Sequence, residues 1–309
     1  MRTLVVGAGA TGGYYGARLA EAGADITFLV RPARAERLAA EGLRVLSPLG
    51  DCHLPRPQTV TVGAVSEAGP FDLVILSCKA YDLASAIEDV APAVGEGTAI
   101  LPLLNGMAHL DALDARFGAG RVLGGSCAIA ATLTPEGAIR QMTELCSITY
   151  GERDGSASAR IAAVDALMGN GAKLQPRRSD RILQEMWEKW VFLATLAGAT
   201  TLMRAAVGDI VAAPGGEAFI LALHGECTAI AEAAGYAPRE KVAAGARTQL
   251  TARGSTFTAS MLRDIDNRGR IEADHVIGDL IARRGTLATP ELDRVYTGLK
   301  AYEARRARD

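Results

Sequence analysis

The chain has 309 residues, a formal charge of −2, and 49% hydrophobic against 22% charged residues, enough to bury a large core and, on length alone, to form two domains. So balanced a charge argues against a nucleic-acid partner, whose many phosphates must be neutralised, and the short Arg305-Arg306-Ala307-Arg308 end reads as a helix terminus. The longest uncharged apolar stretch, Trp190–Met203, is too short to span a bilayer, and the cysteines and histidines fall in no disulfide-framework or zinc-ligand spacing, so no membrane, no disulfide framework and no metal are expected.

In chain order, Leu4-Val5-Val6 runs straight into Gly7, Gly9 and Gly12 with the spacing G-x-G-x-x-G, and the residues that follow, through Ala17, Leu19 and Ala20, read as a helix. The first glycine permits a tight turn, the second lets backbone approach a pyrophosphate, and the third lets the helix pack closely on the strand. The helix then offers free N–H groups and its positive dipole end to phosphate. Gly7, Gly9, Ala10, Thr11 and Gly12 are therefore expected to bind a dinucleotide; a turn whose glycines serve packing alone is the alternative. The same glycines interrupt what would otherwise imitate a signal peptide, so a cytoplasmic protein is expected.

The next strand, Ala24–Arg31, ends in a basic residue where an NAD-preferring site carries an acidic one. The Arg31 guanidinium suits a 2′-phosphate and would reward NADPH over NADH; a solvated loop arginine is the alternative. Residues Gly42–Val62 read as a hairpin and loop. Phe71–Lys79 is a near-continuous apolar run of the kind buried on both faces of a parallel sheet, and it delivers Lys79 at its carboxyl end. After a short helix around Leu83–Val90, Thr98–Leu104 supplies another strand, ending in Asn105-Gly106-Met107. Ligands of open α/β sheets bind outside the carboxyl ends of the strands, so Lys79 and Asn105 emerge where a cofactor would lie. An ordinary turn dipeptide is the alternative for Asn105-Gly106. Arg121–Glu152 reads as two or three further strands with a turn at Thr134–Gly137.

From Ser179 long helical patterns take over: Asp180–Val211, Gly216–Ala234, Arg239–Arg253, Met261–Asp264, Ile271–Arg284 and Pro290–Arg306. The pattern predicts an α/β Rossmann-type N-terminal domain over residues 1–178 that binds the dinucleotide, followed by an all-α C-terminal domain over residues 179–309 for substrate and dimerisation. In the first of these helices Lys189 lies between Trp187 and Trp190, just before a stretch apolar on every face. Such a lysine reaches to water, pairs with Glu185 one turn back, or, partly desolvated with a lowered pKa, serves as a general acid. Glu272 and Asp274 fall near the start of a later amphipathic helix, where capping is the simplest role for a carboxylate.

Several fragments together resemble the ketopantoate reductase (2-dehydropantoate 2-reductase) family over nearly the whole chain: Gly7-Ala-Gly-Ala-Thr-Gly12, Leu29-Val-Arg31, Cys78-Lys-Ala80, Asn105-Gly-Met107, Trp187-Glu-Lys189, Ser260-Met-Leu-Arg-Asp264 and Glu272-Ala-Asp274. The resemblance implies NADPH-dependent reduction of 2-dehydropantoate to pantoate, a step of pantothenate biosynthesis. It makes Lys189 the general acid, has Glu272 hold the substrate hydroxyl, Ser260 bind the substrate carboxylate and Asn105 sit beside the nicotinamide, with Arg31 and Lys79 at the adenosine phosphate. The chain departs from the family at Leu193, Ala197 and Ile277, where members commonly carry asparagine. Losing those amides removes hydrogen bonds worth about 1 kcal/mol each to a polar acid, so a bulkier or more apolar 2-keto acid or ketone is the alternative substrate. A non-enzymatic NADPH-binding protein is the rival from another class, and a homodimer through the apolar helical half is plausible.

Overall fold

The computed structural model describes residues 1–171 and 173–308. Short runs of leucine and β-branched residues bracketed by glycine turns give the strands of the N-terminal half. In order these elements are β1 (Thr3–Val6), α1 (Ala10–Glu21), β2 (Ile26–Leu29), α2 (Pro32–Glu41), β3 (Leu43–Leu46), β4 (Cys52–Leu54), β5 (Gln58–Val60), β6 (Leu73–Leu76), α3 (Leu83–Val90), β7 (Ala99–Pro102), α4 (Ala108–Phe117), β8 (Gly124–Leu133), β9 (Ile139–Gly151), α5 (Ala159–Gly169) and β10 (Gln175–Arg178). The chain divides into two compact units, residues 1–104 with 109–182, and residues 105–108 with the chain from Leu183 onward.

The first unit holds two sheets. One is all parallel, in the order β5-β2-β1-β6-β7, with Val6 level with Leu29 on one side and Leu76 on the other. The chain leaves β1 toward β2 and β5, then crosses to β6 and β7, so the carboxyl end of β1 is the switch point at which such sheets bind ligands. Every residue of β6 is buried, as its unbroken apolar run requires. The second sheet runs β10-β9-β3-β4 with β8 paired to β9. Helix α1 packs against strands of both sheets. It does so through the fully buried Tyr14 and Tyr15, and the Tyr15 hydroxyl donates to the Ser147 carbonyl at 2.8 Å. Arg18 of the same helix is also fully buried, and donates to Glu21 at 2.8 Å and to the Gly50 carbonyl at 2.6 Å, which offsets the cost of removing a guanidinium from water.

Two features of this unit differ from expectation. The hairpin is β3 with β4, but the polar segment Gln58-Thr59-Val60 leaves it to pair with β2 as the edge of the parallel sheet. Between β9 and its parallel partner β10 the chain forms α5, whose N-terminus is capped by the Ser158 hydroxyl accepting from Ile161 N at 3.1 Å.

The second unit is helical: α6 (Ile182–Met203), α7 (Val207–Ala212), α8 (Gly216–Ala233), α9 (Glu240–Leu250), α10 (Ser260–Asp266), α11 (Asp279–Arg283) and α12 (Pro290–Arg306). The apolar stretch of α6 is buried over most of its length, but Phe192, Leu193 and Leu202 are half-buried and Met203 is exposed. Thr195, Thr200 and Thr201 satisfy their buried hydroxyls by donating back to Val191, Leu196 and Ala197 carbonyls at 2.6–2.8 Å. The helix expected to continue to Val211 stops at Met203, because Arg204 takes a left-handed φ of 54°. Glu226 of α8 caps α12 by accepting from the Glu291 and Leu292 amides at 3.0 and 2.8 Å. The helix expected over Ile271–Arg284 instead opens with a π-helical turn, Asp274–Gly278, which runs into α11.

Candidate functional site

At the carboxyl end of β1 the chain turns through Gly7, at φ 90°, whose amide donates to the Leu29 carbonyl at 2.9 Å. A Cβ on Gly12 would overlap Ser77 Oγ and lie 2.7 Å from the Gly7 carbonyl oxygen, so only glycine lets α1 come this close to β1 and to the end of β6. Ser77 Oγ itself donates to the Val6 carbonyl at 2.9 Å. At Gly9, the N-cap of α1, the surroundings are open instead: nothing lies within 4 Å of where a Cβ would stand, and no side chain caps the helix. The N-cap of α1 thus offers no side chain of its own to the first-turn amides and leaves open space beside Gly9, which suits the approach of a pyrophosphate. The residues present fit a dinucleotide.

Arg31 is the N-cap residue of α2, with a side chain 83% exposed and Nη2 3.3 Å from Asp82 Oδ2. An exposed pair of this kind contributes at most about 1 kcal/mol, so a phosphate can displace the carboxylate. Lys79, half-buried, precedes the short turn Ala80–Asp82 after β6 and accepts the Asp82 amide on its carbonyl at 2.9 Å. Arg34 was not foreseen. Its Nη2 donates to the Ala8 carbonyl at 3.2 Å and to the Gly137 carbonyl at 3.1 Å, which places a second guanidinium against the glycine turn. Its position three residues after Arg31, in the first turn of α2, was the available signal.

The other candidate residues belong to the helical unit. Asn105 is grouped there with Gly106–Ala108 although it follows directly on the strand region of β7. Gly106 has φ 80°, and a Cβ on it would meet the His275 carbonyl oxygen at 2.8 Å and the His275 ring at 3.2 Å. The imidazole also hydrogen-bonds the Asn105 backbone. Asn105-Gly106 is thus a turn packed against His275. Glu272 lies just before the π-helical turn, half-buried, with its carbonyl accepting from Val276 N at 2.9 Å, and its carboxylate acts electrostatically on His275. Burial pushes the His275 imidazole below its ordinary pKa despite Glu272, Asp279 and the Asn105 bond, all of which raise it, and Arg283 adds to the lowering.

The same π-helical turn is tied to the lysine's helix. Trp190, almost fully buried, donates from Nε1 to the Val276 carbonyl at 2.9 Å. The Arg283 guanidinium lies over the Trp190 ring at 5.9 Å and is held by Asp279 at 2.9 Å. Lys189, half-buried, is the residue before that tryptophan. The fold thereby brings Asn105 and Glu272 to His275 and fastens the Lys189 segment to the same turn. Asp274 points into a different group, accepting from the Tyr296 hydroxyl at 2.7 Å and from Lys300 at 2.9 Å. Glu188, beside Lys189, is buried and takes three bonds from Arg239 at 2.6–2.9 Å; burial pushes its carboxyl up, but these bonds outweigh it and hold the pKa below the usual range.

Ser260 is the exposed first residue of α10. Just upstream, Phe257 stacks on Phe192 of α6 with centroids 6.1 Å apart. Phe192 and Leu193 stand three and four residues after Lys189, hence on its face of the helix. Leu193 is half-buried, Ala197 is 2% exposed and Ile277 fully buried, so of the three apolar departures only Leu193 has surface to offer a ligand. A cavity of about 840 Å³ elsewhere in this unit is lined by Arg204, Ile265, Asp266, Arg268 and Tyr302, and by Arg305 and Arg306, none of them a candidate residue. Among the described residues no cluster of His, Cys, Asp or Glu could hold a metal, the five cysteines form no disulfide, and no helix is long and apolar enough to cross a membrane.

Residues 3–155 match the family of ketopantoate reductase PanE/ApbA and residues 181–303 match its C-terminal domain. The chain belongs to the ketopantoate reductase family. It is accordingly an oxidoreductase of the kind that acts on CH–OH groups. The uncharacterized oxidoreductase YkpB of Bacillus subtilis is 38% identical over 306 residues, covering 98% of this chain and 99% of that one. A 2-dehydropantoate 2-reductase from Geobacter metallireducens has a similar structure, with TM-score 0.88 at 29% identity, over 97% of this chain and 99% of its own. A D-mandelate dehydrogenase shares the fold with TM-score 0.86 at 21% identity, over 99% of both chains.

Proposed function

We propose that the protein reduces a 2-keto acid to the 2-hydroxy acid with NADPH, 2-dehydropantoate being the first substrate to test. The observation that carries this reading is the π-helical turn that joins the Asn105 loop, Glu272 and the helix of Lys189. The hydride is what a bound nicotinamide supplies. The protein's own part is to meet the negative charge that develops on the keto oxygen and to deliver a proton there. Lys189, a half-buried cation next to a buried tryptophan, serves as that donor. Glu272 accepts a hydrogen bond from a substrate hydroxyl, Ser260 donates to the carboxylate, and the Asn105 amide orients the reacting carbonyl. In the α/β unit the first-turn amides of α1 take the pyrophosphate, and Arg31, aided by Arg34 and Lys79, favours a 2′-phosphate.

A second reading of the substrate is favoured by Phe192, Leu193 and Phe257. With Phe257 43% exposed and stacked on Phe192 beside Leu193, the face next to Lys189 is apolar and aromatic. That surface suits a branched or aryl 2-keto acid better than a small polar one. Following NADPH and NADH oxidation by absorbance against 2-dehydropantoate, branched 2-keto acids and an aryl 2-keto acid decides between them. A kcat/KM highest for 2-dehydropantoate supports the first reading, one highest for a bulkier acid the second, and no turnover of any 2-keto acid refutes both.

A further inference from the structure

We infer that His275 is a positioning residue of this site, setting the place of the Asn105 amide by clamping the Asn105-Gly106 backbone onto the turn that follows Glu272. The inference rests on the reading of Asn105 and Glu272 given above. Its support is the close approach of His275 to Gly106, by both carbonyl and ring, together with one hydrogen bond. The His275 carbonyl oxygen comes within 2.8 Å of the Cβ position of residue 106, the ring comes within 3.2 Å of the same point, and the imidazole hydrogen-bonds the Asn105 backbone. Because that bond favours the protonated ring, the ring is the donor and a backbone carbonyl the acceptor. Gly106 therefore answers two demands of one neighbour: a φ of 80° that brings its backbone round, and a missing Cβ that lets His275 close on it.

The π-helical turn explains how His275 gets there. One extra residue per turn changes the direction in which successive side chains leave the helix, and such turns recur where a site needs an irregular placement. Here the turn gives His275 to the Asn105 loop while the Val276 carbonyl goes to Trp190. The charged groups that act on the ring are the Glu272 and Asp279 carboxylates and the Arg283 guanidinium, the last of these stacked on Trp190. Asn105 thus has a backbone fixed from a residue three positions beyond Glu272, so the distance between its amide and the Glu272 carboxylate is set by one local link. A displacement of about 1 Å in such a group can cost about 100-fold in rate.

The test compares His275→Ala and His275→Gln in the full-length protein, Gln restoring an N–H donor. Expected for His275→Ala is a loss in kcat of about 10- to 100-fold, with the NADPH Kd from nicotinamide fluorescence within about 3-fold of the parent, faster amide hydrogen exchange at residues 105–107, and partial recovery of both rate and protection in His275→Gln. Unchanged kcat and unchanged exchange in His275→Ala overturn the assignment, as does a loss that His275→Gln does not recover at all. If the parent protein turns over no 2-keto acid, the proposed function fails, and the exchange measurement alone decides the clamp: faster exchange reversed by Gln supports it, and unaltered exchange overturns it. Thermal unfolding of both variants checks that they fold, and His275→Asn replaces either one that does not.

Discussion

Gly12→Ala is a single added methyl whose consequences can be worked out from two neighbours. The new Cβ overlaps Ser77 Oγ and stands 2.7 Å from the Gly7 carbonyl oxygen. The serine can rotate away, at the loss of its 2.9 Å bond to the Val6 carbonyl, worth about 1 kcal/mol. The Gly7 carbonyl is backbone and can yield only if α1 moves off β1 by roughly half an ångström, an overpacking cost of about 1–3 kcal/mol. Alanine returns about 0.5–1 kcal/mol by its better helix propensity. The net expectation is a loss of about 1–3 kcal/mol, seen as a lower urea midpoint, together with an NADPH Kd raised about tenfold or more because the first-turn amides shift with the helix. The double variant Gly12→Ala/Ser77→Ala removes one obstacle and leaves the other, so it should recover part of the stability and little of the affinity. Full recovery of both would show that the Gly7 carbonyl is no obstacle, and parental affinity in Gly12→Ala alone would refute the dinucleotide role of this turn.

Three other outcomes are expected. Lys189→Ala should lower kcat by about 100-fold or more while NADPH affinity stays near the parent value; unchanged turnover removes the lysine from the proton-donor role. Arg31→Ala should weaken NADPH by about tenfold or more, the size of a lost charge-assisted bond, and leave NADH nearly unaffected, so an equal loss for both cofactors refutes the 2′-phosphate assignment. His224 and His275 are both held below the ordinary imidazole pKa by burial, so the native protein binds fewer protons than the unfolded chain. Their contribution to stability is complete above the unfolded value of about 6.5 and declines as pH falls through it toward the native values. Urea midpoints should therefore drop between pH 7.5 and 5.5, by less in His224→Gln, and an undiminished midpoint at pH 5.5 would contradict the sign.

The glycine turn was legible because the conformation it needs is local: Gly7 takes a positive φ, Gly9 opens the helix, and spacing announces both, although the Ser77 that Gly12 packs against is distant in sequence. Where neighbours distant in sequence decide, the pattern is silent. The edge strand Gln58–Val60 has no apolar alternation and exists because β2 offers it partners. The break in the long helix sits at Arg204, a non-glycine residue in a left-handed conformation, for which no residue type warns. Helix α5 did carry a signal, Ser158 three residues before Ile161, but its two faces differ little in polarity. The candidate site divides in the same way. Lys189 and Glu272 stand out in the sequence as charges beside apolar runs, whereas His275 looks like an isolated histidine until the Asn105 loop is laid against it.

Burial also sorts residues that sequence treats alike. Leu193, Ala197 and Ile277 are equivalent as replacements of an amide by an apolar group, yet Ile277 is fully buried and Ala197 nearly so, while Leu193 keeps exposed surface on the face of Lys189 and Phe192. An asparagine at position 277 would need hydrogen-bond partners inside the core, within the same π-helical turn whose neighbouring carbonyl is already committed to Trp190. The isoleucine is therefore first a packing choice that steadies the turn. Choice among substrates falls to the residues with surface to spare, Leu193 and the Phe192–Phe257 pair, and discrimination by apolar surface is graded: each methylene changes selectivity by about 1–3 kcal/mol, where a built hydrogen bond rejects outright. On the proposed reading, a site with this apolar face would rank 2-keto acids by the size of their side chain, while Glu272 and Ser260 would hold the polar groups they share.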